Sequence, residues 1–379
     1  MPPVDTPAKP AIEDDYGVME ACKQVFHVPS FELESGVSLE AVDVNYKTFG
    51  TLNDAKDNVL FVCHALTGNA ALDSWWGGLL GDGKPFDTSK YLVVCANVLG
   101  SCYGTTGPTS INPRTGKQYG QSFPAVTIRD TVRLHIRLVV DEIGASQVAC
   151  VVGGSLGGMQ TLEWGFLGQA LVQKIAVIAC GAQHSGWQIA ISEVQRQAIY
   201  RDPNYNNGDY DSASPPHSGL ALARQIAMIT YRTHGVYNDK FGRNAVDDDP
   251  STFTVQSYLD YQGRKFLSRF DANAYIAIMN MMDTHDIGRG RGGASYRRDH
   301  RLIVHFVFPG VEAACQLLHA LPVLIVGIDS DVIYPITEQA QLHAYLPHST
   351  FRVIQSPHGH DGFLLEQDAV GQAVRSFLG

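Results

Sequence analysis

Long apolar runs are absent. No stretch of the 379 residues approaches the roughly 18 consecutive apolar positions of a membrane-spanning helix. Basic residues are scarce: Lys plus Arg number 28 against 38 Asp plus Glu, a formal net charge of −10, and no basic block stands out. Such a chain is a poor match for a phosphate backbone, so neither nucleic acid nor a membrane is expected as a partner. The cysteines, at 22, 63, 95, 102, 150, 180 and 315, are odd in number, scattered, and never spaced C-x-x-C. That pattern argues against a disulfide framework or structural zinc. The expectation is reduced thiols in a cytoplasmic protein, with no metal. The first 20 residues lack a basic start followed by an apolar run, so no secretory signal is expected.

What is present suits a large α/β enzyme: 45% of residues are hydrophobic and 37 are glycine. Residues 1–28 open with a Pro- and Asp-rich stretch and are assigned to a flexible N-terminal arm. Stretches 31–39 and 42–49 alternate apolar and polar residues, as an antiparallel hairpin does. Compact apolar runs follow at 58–63, 91–96, 148–152, 172–179 and 321–327. Runs apolar on both faces are what a parallel sheet covered on each side requires. A helical pattern fills 128–143, and helix alternating with strand indicates a doubly wound α/β sheet. Residues 185–300 differ, with helical patterns at 187–199, 218–234 and 254–282 and no strand among them. That interval reads as a helical lid inserted into a core of 29–184 and 301–379, over the sheet edge where such folds bind ligands. The stretch 294–310 fits neither part.

The strongest chemical signal is Gly153-Gly154-Ser155-Leu156-Gly157-Gly158, directly after an apolar strand and before a helical run. This is G-x-S-x-G in the strand–turn–helix setting of a nucleophile elbow. The flanking glycines leave room for a strained serine, and the helix N-terminus favours developing negative charge. Ser155 needs a base, and the base an orienting carboxylate, in the chain order Ser, acid, His. The carboxylate is Asp329 or Asp331, beyond the 321–327 strand. The base is His358 or His360, beyond the last apolar run at 351–354. Position alone does not choose within either pair. The loop Cys63-His64-Ala65-Leu66-Thr67-Gly68 is the natural source of a second oxyanion donor, which pairs the N–H groups of Leu66 and Leu156. His64 itself reads as a ring that holds the loop.

These motifs, with Asn97-Val98-Leu99-Gly100, Gly104-Thr105-Thr106-Gly107-Pro108, Phe270-Asp271-Ala272-Asn273 and Ser356-Pro357-His358-Gly359-His360-Asp361, stand in an order that resembles the homoserine O-acetyltransferase family of α/β-hydrolase-fold acyltransferases. The resemblance runs from about residue 31 to the C-terminus and has two departures. Leu156 stands where the family usually has Met, and the stretch 294–310 intervenes before the 321–327 strand. The resemblance implies a catalytic set of Ser155, Asp331 and His360. It implies a ping-pong transfer of acetyl from acetyl-CoA, a co-substrate rather than a resident cofactor, to the hydroxyl of L-homoserine. It further implies Arg224, Tyr231 and Asp361 as binders of the amino acid, and a homodimer. Arg224 and Tyr231, seven apart, share a helical face. The same triad would serve L-serine, succinyl-CoA or a deacetylated cephalosporin as substrate, or an esterase or thioesterase; a non-catalytic scaffold is the remaining alternative. Trp75 and Trp76 line the acyl path or fill the core. Arg289 and Arg291 are candidate phosphate contacts at a tunnel mouth.

Overall fold

A computed structural model describes residues 24–247, 249–291 and 309–379. The described chain opens with an antiparallel hairpin of β1 (Gln24–Glu32) and β2 (Ser38–Phe49). Residues 24–28, assigned to the arm, belong to β1, and the rest of that stretch, 1–23, lies outside the described residues. The burial pattern explains why the start of β1 is hidden in the sequence. Phe26, Val28 and Phe31 are all buried, but Pro29 and Ser30 are both exposed, and on the facing strand Ala41 has a φ of 51°. This change of phase breaks the strict alternation by which a strand is read from sequence.

β3 (Val59–Cys63), α1 (Leu72–Trp75), β4 (Leu92–Ala96), α2 (Ile128–Arg137), β5 (Val148–Gly154), α3 (Leu156–Leu167) and β6 (Ile175–Ile178) follow. Next come α4 (Gly186–Tyr200), α5 (His217–Tyr231), α6 (His234–Phe241), β7 (Ala245–Val246), β8 (Asp249–Phe253), α7 (Thr254–Leu267) and α8 (Ala272–Asp283). The described chain closes with α9 (Pro309–Leu317), β9 (Val323–Ile328), α10 (Ile336–Tyr345), β10 (Ser349–Ile354), α11 (Gly362–Leu365) and α12 (Gln367–Leu378).

Eight strands form one sheet in the order β1-β2-β4-β3-β5-β6-β9-β10. β1, β2 and β4 pair antiparallel in succession, and every pairing from β4 to β10 is parallel. All five residues of β3 are buried because successive side chains enter opposite cores. Val59 and Phe61 join the core shared with α2 and α3, while Leu60 and Val62 join Trp76, directly after α1, and Val370 and Val374 of α12.

The helical stretch between β6 and β9 departs from the sequence reading in two places. β7 and β8 pair as a small hairpin where no strand was expected. The pattern 254–282 is two helices, because Asp271 caps α8 by accepting the Ala274 N–H at 2.9 Å. Of the stretch 294–310, all but Pro309 and Gly310, which open α9, lies outside the described residues.

Candidate active site

Ser155 sits between β5 and α3 with φ 58° and ψ −124°, a backbone position that ordinary residues avoid. The glycines around it answer to contacts rather than to flexibility. A Cβ on Gly157 would lie 2.2 Å from the Cys63 carbonyl oxygen, and one on Gly154 would lie 2.5 Å from the Phe363 ring. Strand β3, the elbow and the His360 loop therefore close on one another only because these side chains are missing.

The structure chooses within both ambiguous pairs. His360 Nε2 lies 2.9 Å from Ser155 Oγ, and His360 Nδ1 lies 2.6 Å from Asp331 Oδ2. Asp331 Oδ1 accepts the N–H groups of Ile333 and Tyr334 at 2.8 and 2.9 Å, so both carboxylate oxygens are oriented. Asp329 instead accepts the Ser356 N–H, and His358 donates its own N–H to the Ser356 hydroxyl. Ser155, Asp331 and His360 are all buried. Burial alone would lower the His360 pKa. The Asp331 charge and hydrogen bond, helped by Asp361, outweigh it and leave the ring above its ordinary value.

The loop after β3 is fastened from several sides. His64 is fully buried, with Nδ1 2.8 Å from the Ala65 carbonyl and Nε2 accepting the Val98 N–H at 3.1 Å. Burial pushes its pKa down to about 4, so the ring is neutral and structural. Gln160 donates to the His64 carbonyl, and Arg269 to that of Thr67. Among the described residues the N–H groups of Leu66 and Leu156 meet no protein acceptor, as an oxyanion pair requires.

Ser155 opens into a cavity of about 190 Å³. Leu66 and His360 share its wall with Arg224, Met228 and Tyr231 of α5, and with Tyr258 and Gln262 of α7. Arg224 is buried against Tyr231 and Phe266, at 5.9 and 5.1 Å from their ring centres. The Tyr231 ring lies 6.0 Å from that of His360. Asp361 also lines the cavity, and its Oδ2 pairs with Arg232 Nε at 2.7 Å.

The alpha/beta hydrolase fold family is matched over residues 58–367. A homoserine O-acetyltransferase of Salinibacter ruber is 45% identical, over 93% of this chain and 97% of that one. The chain belongs to the homoserine O-acetyltransferase family. Two solved structures show the reach of the fold. A homoserine O-acetyltransferase from Bacillus anthracis superposes with a TM-score of 0.83 at 24% identity, over 95% of this chain and 98% of the other. Esterase E22 gives 0.81 at 26% identity, over 94% and 99%. One scaffold thus carries both transferases and esterases.

Within this acyltransferase fold the two tryptophans divide. Trp75 lines the cavity and donates to the Asn69 carbonyl, whereas Trp76 is a core residue whose indole meets the Phe363 carbonyl. Arg289 and Arg291 are not cavity residues, which corrects their reading as phosphate contacts. Arg289 forms a two-pronged pair with Glu34 at 2.8 and 2.9 Å, and Arg291 pairs with Glu163 and lies 4.0 Å over the Phe166 ring. Arg129 bridges the two carboxylates at 3.2 Å each, so this network ties β1's end to α2, α3 and the turn after α8. Among the described residues no group of three or more His, Cys, Asp or Glu is placed to hold a metal ion. Sequence reasoning missed Arg232, Tyr258 and Gln262. The last two had a signal, being four apart on one face of α7, but Arg232 had none beyond its neighbour Tyr231.

Proposed function

We propose that this enzyme transfers an acetyl group from acetyl-CoA to the side-chain hydroxyl of L-homoserine through an acyl-Ser155 intermediate. The observation that carries the reading is the pairing of the Ser155–His360–Asp331 chain with Arg224 and Asp361 in one cavity. A guanidinium fork suits an α-carboxylate, and a carboxylate suits an ammonium, so an amino acid can be oriented beside the acylated serine. Tyr231 borders both the Arg224 fork and the His360 ring.

In the first half-reaction His360 Nε2 takes the Ser155 hydroxyl proton as Oγ attacks the thioester carbonyl. The N–H groups of Leu66 and Leu156 receive the oxyanion, the C–S bond breaks, and the proton passes to the departing thiolate. In the second, His360 takes the proton of the homoserine hydroxyl, whose oxygen attacks the acyl carbon, and returns it to Ser155. Helices α5 and α7 act as the lid that keeps water from competing. The enzyme works in the cytoplasm as a homodimer with no resident cofactor. The six described cysteines are free, in keeping with a reducing compartment. Leu222 and Ile229, seven apart and exposed on α5, offer an apolar strip for a second copy.

The test is thiol release from acetyl-CoA by purified protein with no acceptor, with L-homoserine or with L-serine, repeated with succinyl-CoA. Fast release only with acetyl-CoA and L-homoserine supports the reading. Preference for L-serine or succinyl-CoA would keep the chemistry and change the substrate. The likeness to esterase E22 favours ester hydrolysis as a second reading, and release independent of acceptor would establish it.

A further inference from the structure

The cavity carries more positive charge than an amino acid consumes. Besides His360, its charged wall residues are Arg224, Arg232 and Asp361. A fourth charge stands beside one wall residue: Lys240 Nζ lies 4.6 Å from the ring centre of Tyr258 and 5.3 Å from that of Phe241. Among the described residues Lys240 has no carboxylate partner. Burial, then the Arg232 charge, holds its ammonium below the ordinary lysine value. Arg232 spends one side on Asp361, while its Nη1 is buried without a hydrogen-bond partner, the side chain being 9% exposed.

Two cations that feel each other's charge in a partly dry place repel, and the repulsion is relieved by an anion bound to both. The surplus is local, because the chain as a whole carries −10. An amino acid brings one carboxylate for Arg224 and one ammonium for Asp361. It leaves Arg232 Nη1 and Lys240 unmatched. A neutral acetyl ester would leave them unmatched as well.

We propose that Arg232 and Lys240 form the docking point for the phosphate groups of a coenzyme-A-type thioester donor. The inference rests on the acyl-CoA reading and adds the place where the donor's charged end is held. Phosphate oxygens accept from Lys240 Nζ and Arg232 Nη1, while Tyr258, on the cavity wall, carries Lys240 against its ring. Arg232 directly follows α5 and Lys240 belongs to α6, whereas Ser155 belongs to the sheet's elbow. The donor's charged end and its thioester are thus gripped by different parts of the fold.

Lys240 is the residue to vary, because changing Arg232 would also release Asp361. The readout is the ratio of kcat/KM for acetyl-CoA to that for S-acetylpantetheine, which lacks the nucleotide phosphates. Lys240→Ala lowers that ratio about tenfold, the usual worth of one hydrogen bond to a charged group, and Lys240→Glu lowers it further. Lys240→Arg restores it, and added salt erodes the wild-type preference more than that of Lys240→Glu. A ratio unchanged in Lys240→Glu overturns the proposal. Calorimetric titration of CoA into Ser155→Ala, with and without Lys240→Glu, separates the two readings. CoA binding weakened by the charge reversal supports the site even if no acetyl reaches homoserine. Equal binding in both proteins, or none in either, overturns it.

Discussion

Gly157→Ala tests whether the contact between elbow and β3 sets the oxyanion geometry. The added Cβ would stand 2.2 Å from the Cys63 carbonyl oxygen and 3.3 Å from that of His64, both backbone atoms that cannot rotate away. Real Cβ contacts do not fall below 3.0 Å, so the end of β3 and the start of α3 must part by about 0.8 Å. Leu66 lies three residues beyond Cys63, and Leu156 directly precedes Gly157. The separation therefore widens the gap between the two N–H groups that must meet one oxygen. Misplacement near 1 Å costs about 10²-fold in rate, comparable to deleting one oxyanion donor. Overpacking itself costs about 1–3 kcal/mol, a loss of several degrees in Tm. Steady-state acyl transfer and thermal melting measure the two effects separately. Gly186→Ala is the control, since nothing lies within 4 Å of a Cβ there. A Gly157→Ala protein with wild-type kcat and Tm would refute the reasoning.

Further outcomes follow from the same geometry. Asp331→Asn keeps the shape of the Asp331 side chain but removes the charge that holds His360; kcat drops about 10³–10⁴-fold. In the wild type, kcat/KM falls as pH drops through the His360 pKa, because a protonated ring cannot take the serine proton. That acidic limb lies above the ordinary histidine value. In Asp331→Asn it moves to lower pH, since burial is then opposed only by the smaller pull of Asp361; a pH–rate profile in which it stays put contradicts the assignment. Arg224→Lys and Asp361→Asn each raise the KM for L-homoserine about tenfold or more through loss of a charge-assisted contact, as initial-rate kinetics would show. Glu163→Ala strands the part-buried Arg291, leaves Arg129 with Glu34 alone, and costs about 3–5 kcal/mol in denaturant unfolding. Arg289→Ala, which breaks a more exposed pair, costs under about 1 kcal/mol and leaves the acetyl-CoA KM unchanged.

The elbow was legible because its chemistry is local: glycine, serine and glycine on a turn between a buried strand and a helix. Asp331 and His360 were legible only as members of pairs. Strand ends bring Asp329 and His358 to the same edge, and the choice depends on loop conformation, which spacing does not encode. The beginning of β1 was hidden by the change of burial phase at Pro29 and Ser30, and the break between α7 and α8 by apolar residues that both helices bury. The Glu34–Arg129–Glu163 network joins residues 34 to 95 positions apart, and the Arg289–Glu34 pair spans 255. No pattern in sequence announces such pairs, and without them the arginines near 290 look free. Arg232 was missed for a similar reason: its partner Asp361 comes from the His360 loop.

The acyl-Ser155 intermediate is the centre of the account, and intact-mass spectrometry after mixing with acetyl-CoA alone tests it most directly. The protein gains the mass of one acetyl group, located by peptide mapping at Ser155, and loses it on adding L-homoserine; Ser155→Ala gains nothing. Rapid product formation with no mass gain at Ser155, or acetylation that survives L-homoserine, would contradict it.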